Sequence, residues 1–126
     1  MVEQVDYQKY IKSLLDFISE RINIKPYPKI ILSNKKQDKG VNIKTGYYDP
    51  LDRTIKIFIK DRHCKDCLRS FCHEIVHHHQ NLENRLKSDD YNGDQITEDD
   101  KLMLLEGEAY LKGNLLFRSW TEINKF

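Results

Sequence analysis

The chain has 126 residues, which is long enough for one domain with a hydrophobic core and too short for two. Its 21 Lys and Arg residues nearly balance 20 Asp and Glu residues, which argues against the basic surface of a nucleic-acid-binding protein. No apolar run approaches the length of a membrane span, and the first residues lack the basic and apolar regions of a signal peptide. We therefore expect a single domain over residues 1–126 that is cytoplasmic and has no nucleic-acid or membrane partner.

The first predicted element is an amphipathic helix that ends before Pro26. Its apolar residues repeat at helical spacing along one stripe, which consists of Tyr7, Ile11, Leu14, Leu15, Ile18 and Ile22. Residues 29–32 are predicted to form a short strand. The lysine-rich segment 33–40 is predicted to be an exposed connection.

Two further strands are predicted at 45–48 and 54–60, where aromatic and β-branched residues flank an Asp-Pro turn. This pattern indicates a hairpin. Within the second strand Ile55, Ile57 and Ile59 alternate with other residues, so one face of the strand is predicted to lie against the core. We expect an α+β fold with an N-terminal helix, a small and mainly antiparallel sheet containing this hairpin, and two later helices.

The most informative pattern of the chain is His73-Glu74-Ile75-Val76-His77, which lies within a predicted helix. Successive helical residues are about 100° apart, so side chains four positions apart point the same way and both imidazoles can reach one metal ion. The glutamate lies one step further round, where its carboxylate can touch a water molecule beside that ion. The pattern is typical of zinc hydrolases, with Glu74 as the general base. The alternative is a polar helix face with solvated histidines.

This motif helix is predicted to begin at Cys64 or Asp66 and to end near Leu82. Its apolar residues lie opposite the two motif histidines and are Leu68, Phe71, Ile75 and Leu82. His78 and His79 point away from the motif histidines and are predicted to lie at the surface or at the edge of the core. Gln80 returns to within about 20° of the first motif histidine. It is expected either to hydrogen-bond a ligand or to extend into solvent.

Residues 83–100 are polar and are predicted to form a surface loop, with Thr97 as the N-cap of a last helix over 98–120. One broad side of that helix is apolar and carries Leu102, Met103, Leu105, Ala109, Tyr110, Gly113, Leu116 and Phe117. A second apolar stripe is formed by Leu104, Leu111 and Leu115.

A catalytic zinc site takes three protein ligands and leaves a fourth position for water, so the two histidines need one more ligand. The glycine and histidine that metzincins place shortly after the motif are absent here. Glu106 and Glu108 follow His77 by 29 and 31 residues. Glu106 lies on the apolar side beside Ala109 and Gly113, whose small size allows close helix packing. Because a carboxylate directed inward needs a partner, we predict Glu106 as the third ligand and keep Glu108 as the alternative.

The octapeptide HEIVHHHQ at 73–80, followed by Leu105-Glu106-Gly107-Glu108-Ala109, resembles the gluzincin-type zinc metallopeptidases, in which a later helix supplies a glutamate to the metal. The wider pattern is similar to small neutral zinc metallopeptidases encoded by bacteriophages. Its further residues are Thr45-Gly46-Tyr47-Tyr48-Asp49-Pro50, Arg62-His63, Leu68-Arg69, Gly113 and Arg118. The resemblance spans about residues 45–118.

This resemblance implies a minimal zincin-like domain and a metalloendopeptidase that uses Zn²⁺ to hydrolyse peptide or protein substrates. It implies His73, His77 and Glu106 as zinc ligands and Glu74 as the catalytic base. The chain departs from the resemblance at Tyr110, where related enzymes often carry an acidic or amide residue that could orient a ligand, so the resemblance does not indicate which residue orients a ligand here. A phage origin implies action in the host cytoplasm or association with the phage particle.

Charge that develops on the substrate also needs a hydrogen-bond donor. The candidates are Tyr110, Tyr91, His79 and Arg118, and no pattern selects among them. Together with Gln80, Tyr110 and His79 are therefore kept as secondary site residues. An extended peptide substrate is expected to align on an edge strand, for which 29–32 and 54–60 are the two candidates. The sequence defines neither the cleavage specificity nor the oligomeric state.

Two other interpretations compete with the peptidase. Cys64, Cys67 and Cys72 together with His73 suggest a structural zinc knuckle, although one CxxC pair is weak evidence and a single helix is poorly suited to supply four bonds to one ion. Three cysteines within nine positions are in any case more typical of reduced thiols than of a disulfide framework. The remaining interpretation is a catalytically silent metal-binding protein of a phage, structural or interacting, on a peptidase-like scaffold.

Overall fold

The fold contains three helices and one three-stranded sheet in a computed structural model that describes residues 5–35, 45–86 and 98–126. The elements in chain order are α1 (Tyr7–Ser19), β1 (Lys29–Ser33), β2 (Gly46–Asp49), β3 (Thr54–Phe58), α2 (Cys64–Leu82) and α3 (Glu98–Asn124). The expected α+β class and the order of helices and strands are confirmed. Within these residues, no helix is both long enough and apolar enough to cross a membrane.

Helix α1 begins where Asp6 caps it, because the carboxylate Oδ1 accepts a hydrogen bond from the backbone N of Lys9 at 3.2 Å. The predicted apolar stripe faces the core through Ile11, Leu14 and Ile18. Trp120, near the C-terminal end of α3, donates a hydrogen bond from its Nε1 to Ser13 Oγ of this helix at 3.0 Å. Helix α1 therefore packs against the C-terminal end of α3.

The sheet has the strand order β1-β3-β2, with β3 in the centre. Strands β2 and β3 form the predicted antiparallel hairpin, in which Tyr48 pairs with Ile55. Strand β1 pairs with β3 in parallel, with Ile30 opposite the same Ile55, so the sheet is mixed rather than mainly antiparallel. Strand β1 lies on the side of β3 that β2 leaves free, and it runs in the same direction as β3. One of the two predicted edge strands, 54–60, is wrong because β3 is central.

Helix α2 is enclosed on most of its circumference, because it packs against α3 on one side and against β2 and β3 on another. The predicted apolar back is confirmed, since Leu68, Phe71 and Ile75 are fully buried. Cys72 and Val76 are equally buried on other sides of the helix. The polar side chains of α2 are therefore placed inside the fold and need partners there.

Helix α3 buries one narrow stripe, which consists of Leu105, Ala109, Gly113, Phe117 and Trp120. The broad apolar side predicted for it is only partly confirmed, because Leu102, Met103 and Tyr110 are exposed. The leucines of the second predicted stripe, Leu104, Leu111 and Leu115, are exposed as well. Among the described residues, α3 packs against the fold along one side. The apolar residues next to that side therefore remain exposed. Thr97 and the centre of the predicted loop lie outside the described residues.

Helices α2 and α3 approach each other closely at Gly113. A methyl group placed on this residue would lie 3.1 Å from both Cα and N of His73, which are backbone atoms of α2. Any larger residue would therefore push the two helices apart. Gly107 lies two turns earlier on the same helix, and a methyl group placed there meets no atom within 4 Å.

These two glycines form a matched pair for a stability test. Gly107→Ala should raise the free energy of unfolding by about 0.5–1 kcal/mol because alanine restricts the unfolded chain and favours helix. Gly113→Ala gains the same helix propensity but should be less stable than Gly107→Ala by about 1–3 kcal/mol, owing to the clash with α2. Urea denaturation measures both values. Equal stabilisation by the two substitutions would contradict the close packing.

Candidate metal centre

Two histidines of α2 and one glutamate of α3 converge on one point. The carboxylate of Glu106 lies between the two imidazoles, with Oε2 at 3.1 Å from His73 Nε2 and Oε1 at 2.9 Å from His77 Nε2. The two rings meet edge to face, with centroids 4.9 Å apart. The side chain of Glu106 is 53% exposed, so the point of convergence is reached from solvent.

The donor set fits a zinc ion. Zinc takes imidazole nitrogen and carboxylate oxygen at about 2.0–2.2 Å, and neighbouring ligands of a tetrahedral ion are then roughly 3.3 Å apart. The separations of 2.9 and 3.1 Å between the histidine nitrogens and the Glu106 oxygens are close to that value. His73, Glu74 and His77 also offer atoms within 4.8 Å of one another. The described residues thus hold one cluster with the composition and spacing of a metal site.

Glu74 is buried beside this cluster and differs from Glu106 in its environment. Burial, followed by the negative charge of Glu106, raises the pKa of the Glu74 carboxyl to about 7. Burial also lowers the pKa of His73, with a further contribution from His77, while Glu106 opposes the shift. A neutral imidazole is the form that binds a metal. Glu74 lies at the place expected for a base that acts on a water molecule next to the cluster.

The competing glutamate, Glu108, is occupied elsewhere. Its carboxylate is bound by the Arg85 guanidinium through two hydrogen bonds, of which Nη1 to Oε1 measures 2.8 Å, and Lys112 Nζ lies 3.5 Å away. The arginine lowers the pKa of Glu108 to about 2. The structure therefore brings Glu106, and not Glu108, to the histidines. Through this ion pair Arg85, which lies just after α2, holds α3 against the end of α2. The polar sequence around Arg85 did not indicate this role.

Gln80 takes the first of its two predicted alternatives. It is fully buried, its Oε1 lies 2.8 Å from His77 Nδ1, and its Nε2 donates to the carbonyl of Leu105 at 3.0 Å. The side chain thus contacts a candidate ligand rather than solvent.

His78 and His79 are more deeply placed than predicted. His78 is fully buried, with Nε2 donating to the carbonyl of Pro26 at 2.8 Å and Nδ1 accepting from the Tyr48 hydroxyl at 2.8 Å. His79 Nδ1 donates to the carbonyl of Asn23 at 2.7 Å. Both rings therefore hold the segment after α1 against α2. Of the two predicted alternatives, the surface and the edge of the core, the structure excludes the surface for both residues, and it does not bring His79 to the candidate site.

An open cleft of about 860 Å³ surrounds the cluster. Its walls are α2, α3 and strand β2, which is an edge strand of the described sheet. The cleft is also lined by the charged residues Arg62, Asp66 and Arg69 and by Leu86, Leu102 and Leu105. Neither predicted edge strand borders this cleft, because the hairpin places β2 between β3 and the cleft opening.

The candidate hydrogen-bond donors are separated by their positions. Tyr110 lines the cleft, and its ring meets that of His73 edge to face with centroids 4.8 Å apart. Arg118 is exposed, pairs with Glu122 at 3.3 Å and lines a separate, smaller groove. Tyr91 lies outside the described residues. Of the four candidates, the structure places Tyr110 next to the cluster.

The zinc knuckle is not formed. The thiols of Cys64 and Cys67 lie beside Tyr7 of α1, whereas Cys72 is in the core. Burial raises the pKa of the Cys72 thiol, which disfavours the thiolate that a metal requires. Within the described part of the chain, the three sulfurs and His73 do not form a metal-binding group.

No protein-family model, no curated protein and no solved structure matches this chain. The resemblance to gluzincin-type peptidases therefore stays an interpretation of the motif residues.

Two neighbouring tyrosines of β2, Tyr48 and Tyr47, form a matched pair that tests the hydrogen bond between β2 and His78 of α2. Tyr48→Phe removes the hydroxyl that donates to His78 and that accepts a hydrogen bond from Asn81 Nδ2 at 2.9 Å. Because this leaves a buried acceptor unpaired, the free energy of unfolding should fall by about 1–3 kcal/mol. The control is Tyr47→Phe, which alters an exposed residue and should change stability by no more than about 0.5 kcal/mol. A Tyr48→Phe protein as stable as the control would contradict the network.

Proposed function

We propose that this protein is a zinc-dependent metallopeptidase. His73, His77 and Glu106 hold the ion, and Glu74 is the general base. The observation that carries the proposal is that one carboxylate from α3 places a separate oxygen against the Nε2 atom of each motif histidine. A helix face with solvated histidines would not bring a third ligand from another helix to the same point.

The chemistry follows from the positions of these groups. A zinc ion at this site supplies a Lewis acid that activates a water molecule and polarises a peptide carbonyl. Glu74, buried beside the two histidines, takes the proton from the attacking water and passes it to the leaving amine. Tyr110 stands in the cleft next to His73 and donates to the charge that develops on the substrate oxygen.

The cleft suits an extended chain rather than a small molecule. It is open along its length, and β2 presents the unpaired edge of the described sheet to it. A peptide can add to such an edge through backbone hydrogen bonds. We therefore infer peptides or unfolded protein segments as substrates.

Zinc content tests the ligand set, with two glutamates of α3 as a matched pair. Wild-type protein should bind one zinc per chain. Glu106→Gln and His77→Ala should each reduce zinc affinity by more than the 10–100-fold that is typical for residues behind the ligands. Glu108→Gln breaks the Arg85 ion pair but should keep zinc, because Glu108 does not face the histidines. Metal analysis after dialysis measures the outcome, and loss of zinc from Glu108→Gln alone would overturn the assignment.

Turnover of a broad peptide library tests the proposed base. Glu74→Gln should retain zinc and lose activity by about 10²–10⁴-fold, since a positioned general base contributes a factor of that size. Glu122→Gln is the control at an exposed site and should cleave like wild type. Equal turnover by wild type and Glu74→Gln would refute the mechanism. A fully zinc-loaded wild type without turnover would instead support the silent metal-binding protein.

A further inference from the structure

We propose that Gln80 is a positioning residue that fixes the orientation of the His77 imidazole and couples it to the helix that carries Glu106. This inference rests on the proposed zinc site and adds to it a residue that acts through a ligand. It starts from a buried amide that bridges α2 and α3, with Oε1 at 2.8 Å from His77 Nδ1 and Nε2 at 3.0 Å from the carbonyl of Leu105.

The orientation of this amide is determined by its partners. The carbonyl of Leu105 can only accept a hydrogen bond, so the NH₂ group of Gln80 has to face it. The carboxylate of Glu108 also accepts a hydrogen bond from Gln80. The amide oxygen is left to face His77 Nδ1, and an oxygen can only accept there. His77 Nδ1 must therefore carry the proton.

A proton on Nδ1 decides which atom of His77 is offered to a metal. A neutral imidazole protonated at Nδ1 has its lone pair on Nε2. His77 Nε2 is the atom that faces Glu106 Oε1 at 2.9 Å, a contact that a proton on Nε2 bridges and in which a metal ion would take the place of that proton. Gln80 thus selects the form of His77 that binds the ion and prevents the ring from rotating away.

The same amide also acts on the third ligand. Leu105 directly precedes Glu106, and its carbonyl is the acceptor for Gln80 Nε2. The hydrogen bond therefore fixes the backbone of α3 at the position from which the Glu106 carboxylate extends. One side chain of α2 sets both the ring of a histidine ligand and the helix that supplies the carboxylate.

A merely structural role has to be separated from a positioning role, because Gln80 is fully buried and its loss costs stability in either case. Asn81 provides the control. Its amide donates to the Tyr48 hydroxyl and to the carbonyl of Pro50 at 3.0 Å, so it contributes to the fold without touching a candidate ligand. Zinc affinity should distinguish the two residues, whereas stability should not.

The experiment compares Gln80→Met, Gln80→Glu and Asn81→Leu in the full chain, with zinc affinity measured by competition with a chromophoric chelator. Gln80→Met keeps the volume but neither hydrogen bond, and its affinity should fall about 10–100-fold. Gln80→Glu keeps an acceptor for His77 Nδ1–H and should remain within about tenfold of wild type. Asn81→Leu should lose stability at unchanged zinc affinity.

Nuclear magnetic resonance of the zinc-loaded proteins gives a second readout. The Nδ1 proton of His77 should give a downfield signal in wild type and in Gln80→Glu, and exchange should broaden or remove it in Gln80→Met. If Gln80→Met does not fold, Gln80→Asn withdraws the amide by one methylene and carries the same expectation. Unchanged zinc affinity and an unchanged signal in a folded Gln80→Met or Gln80→Asn protein would overturn the inference. So would an equal loss of affinity in Asn81→Leu.

The outcome is separable from that of the proposed function. If wild type binds zinc without cleaving peptides, the peptidase proposal fails while the effect of Gln80 on zinc affinity still decides this inference. If wild type cleaves peptides and the Gln80 variants bind zinc normally, the inference alone fails. A wild type that binds no zinc overturns both.

Discussion

The candidate site depends on how closely α3 approaches α2. At Gly113 the backbone of α3 reaches the backbone of α2 at His73, and this distance leaves no room for a side chain. Glu106 lies seven residues before Gly113, which is about two helical turns. The short distance between the helices at Gly113 therefore also keeps the Glu106 carboxylate close to α2. The Arg85–Glu108 ion pair fixes the same stretch of α3 from the other side. Glu106 is thus held in place by two constraints that do not involve the histidine side chains.

A second constraint arises because α2 carries polar side chains and is enclosed by the rest of the fold. Each of its buried polar atoms needs a hydrogen-bond partner. Among the described residues, no buried side-chain nitrogen or oxygen lacks a hydrogen bond. The three consecutive histidines of α2 satisfy this in three directions: His77 towards Gln80 and Glu106, His78 towards Tyr48 and Pro26, and His79 towards Asn23. Two of the three histidines therefore stabilise the packing around the site.

The parts of the site that the sequence predicted are those that local periodicity determines. The spacing of His73 and His77 on one helix, and the position of Glu106 at the margin of the packed stripe of another, follow from about 100° per residue. The roles of His78 and Arg85 depend on residues far away in the chain. A helical wheel, which compares residues of one helix only, cannot predict these contacts. The sheet was predicted less well for the same reason, because the strand order depends on which side of β3 the other strands occupy.

The charges of the cluster give an independent reason to expect a cation. Glu74 and Glu106 lie near the same two imidazoles, and the negative charge of Glu106 helps to raise the pKa of Glu74 to about 7. Two carboxylates so placed repel each other in a partly dehydrated site. Arg85 and Lys112 are bound to Glu108 instead. A divalent ion between His73, His77 and Glu106 would remove the repulsion and leave Glu74 ionised beside it, which is the state that a general base requires.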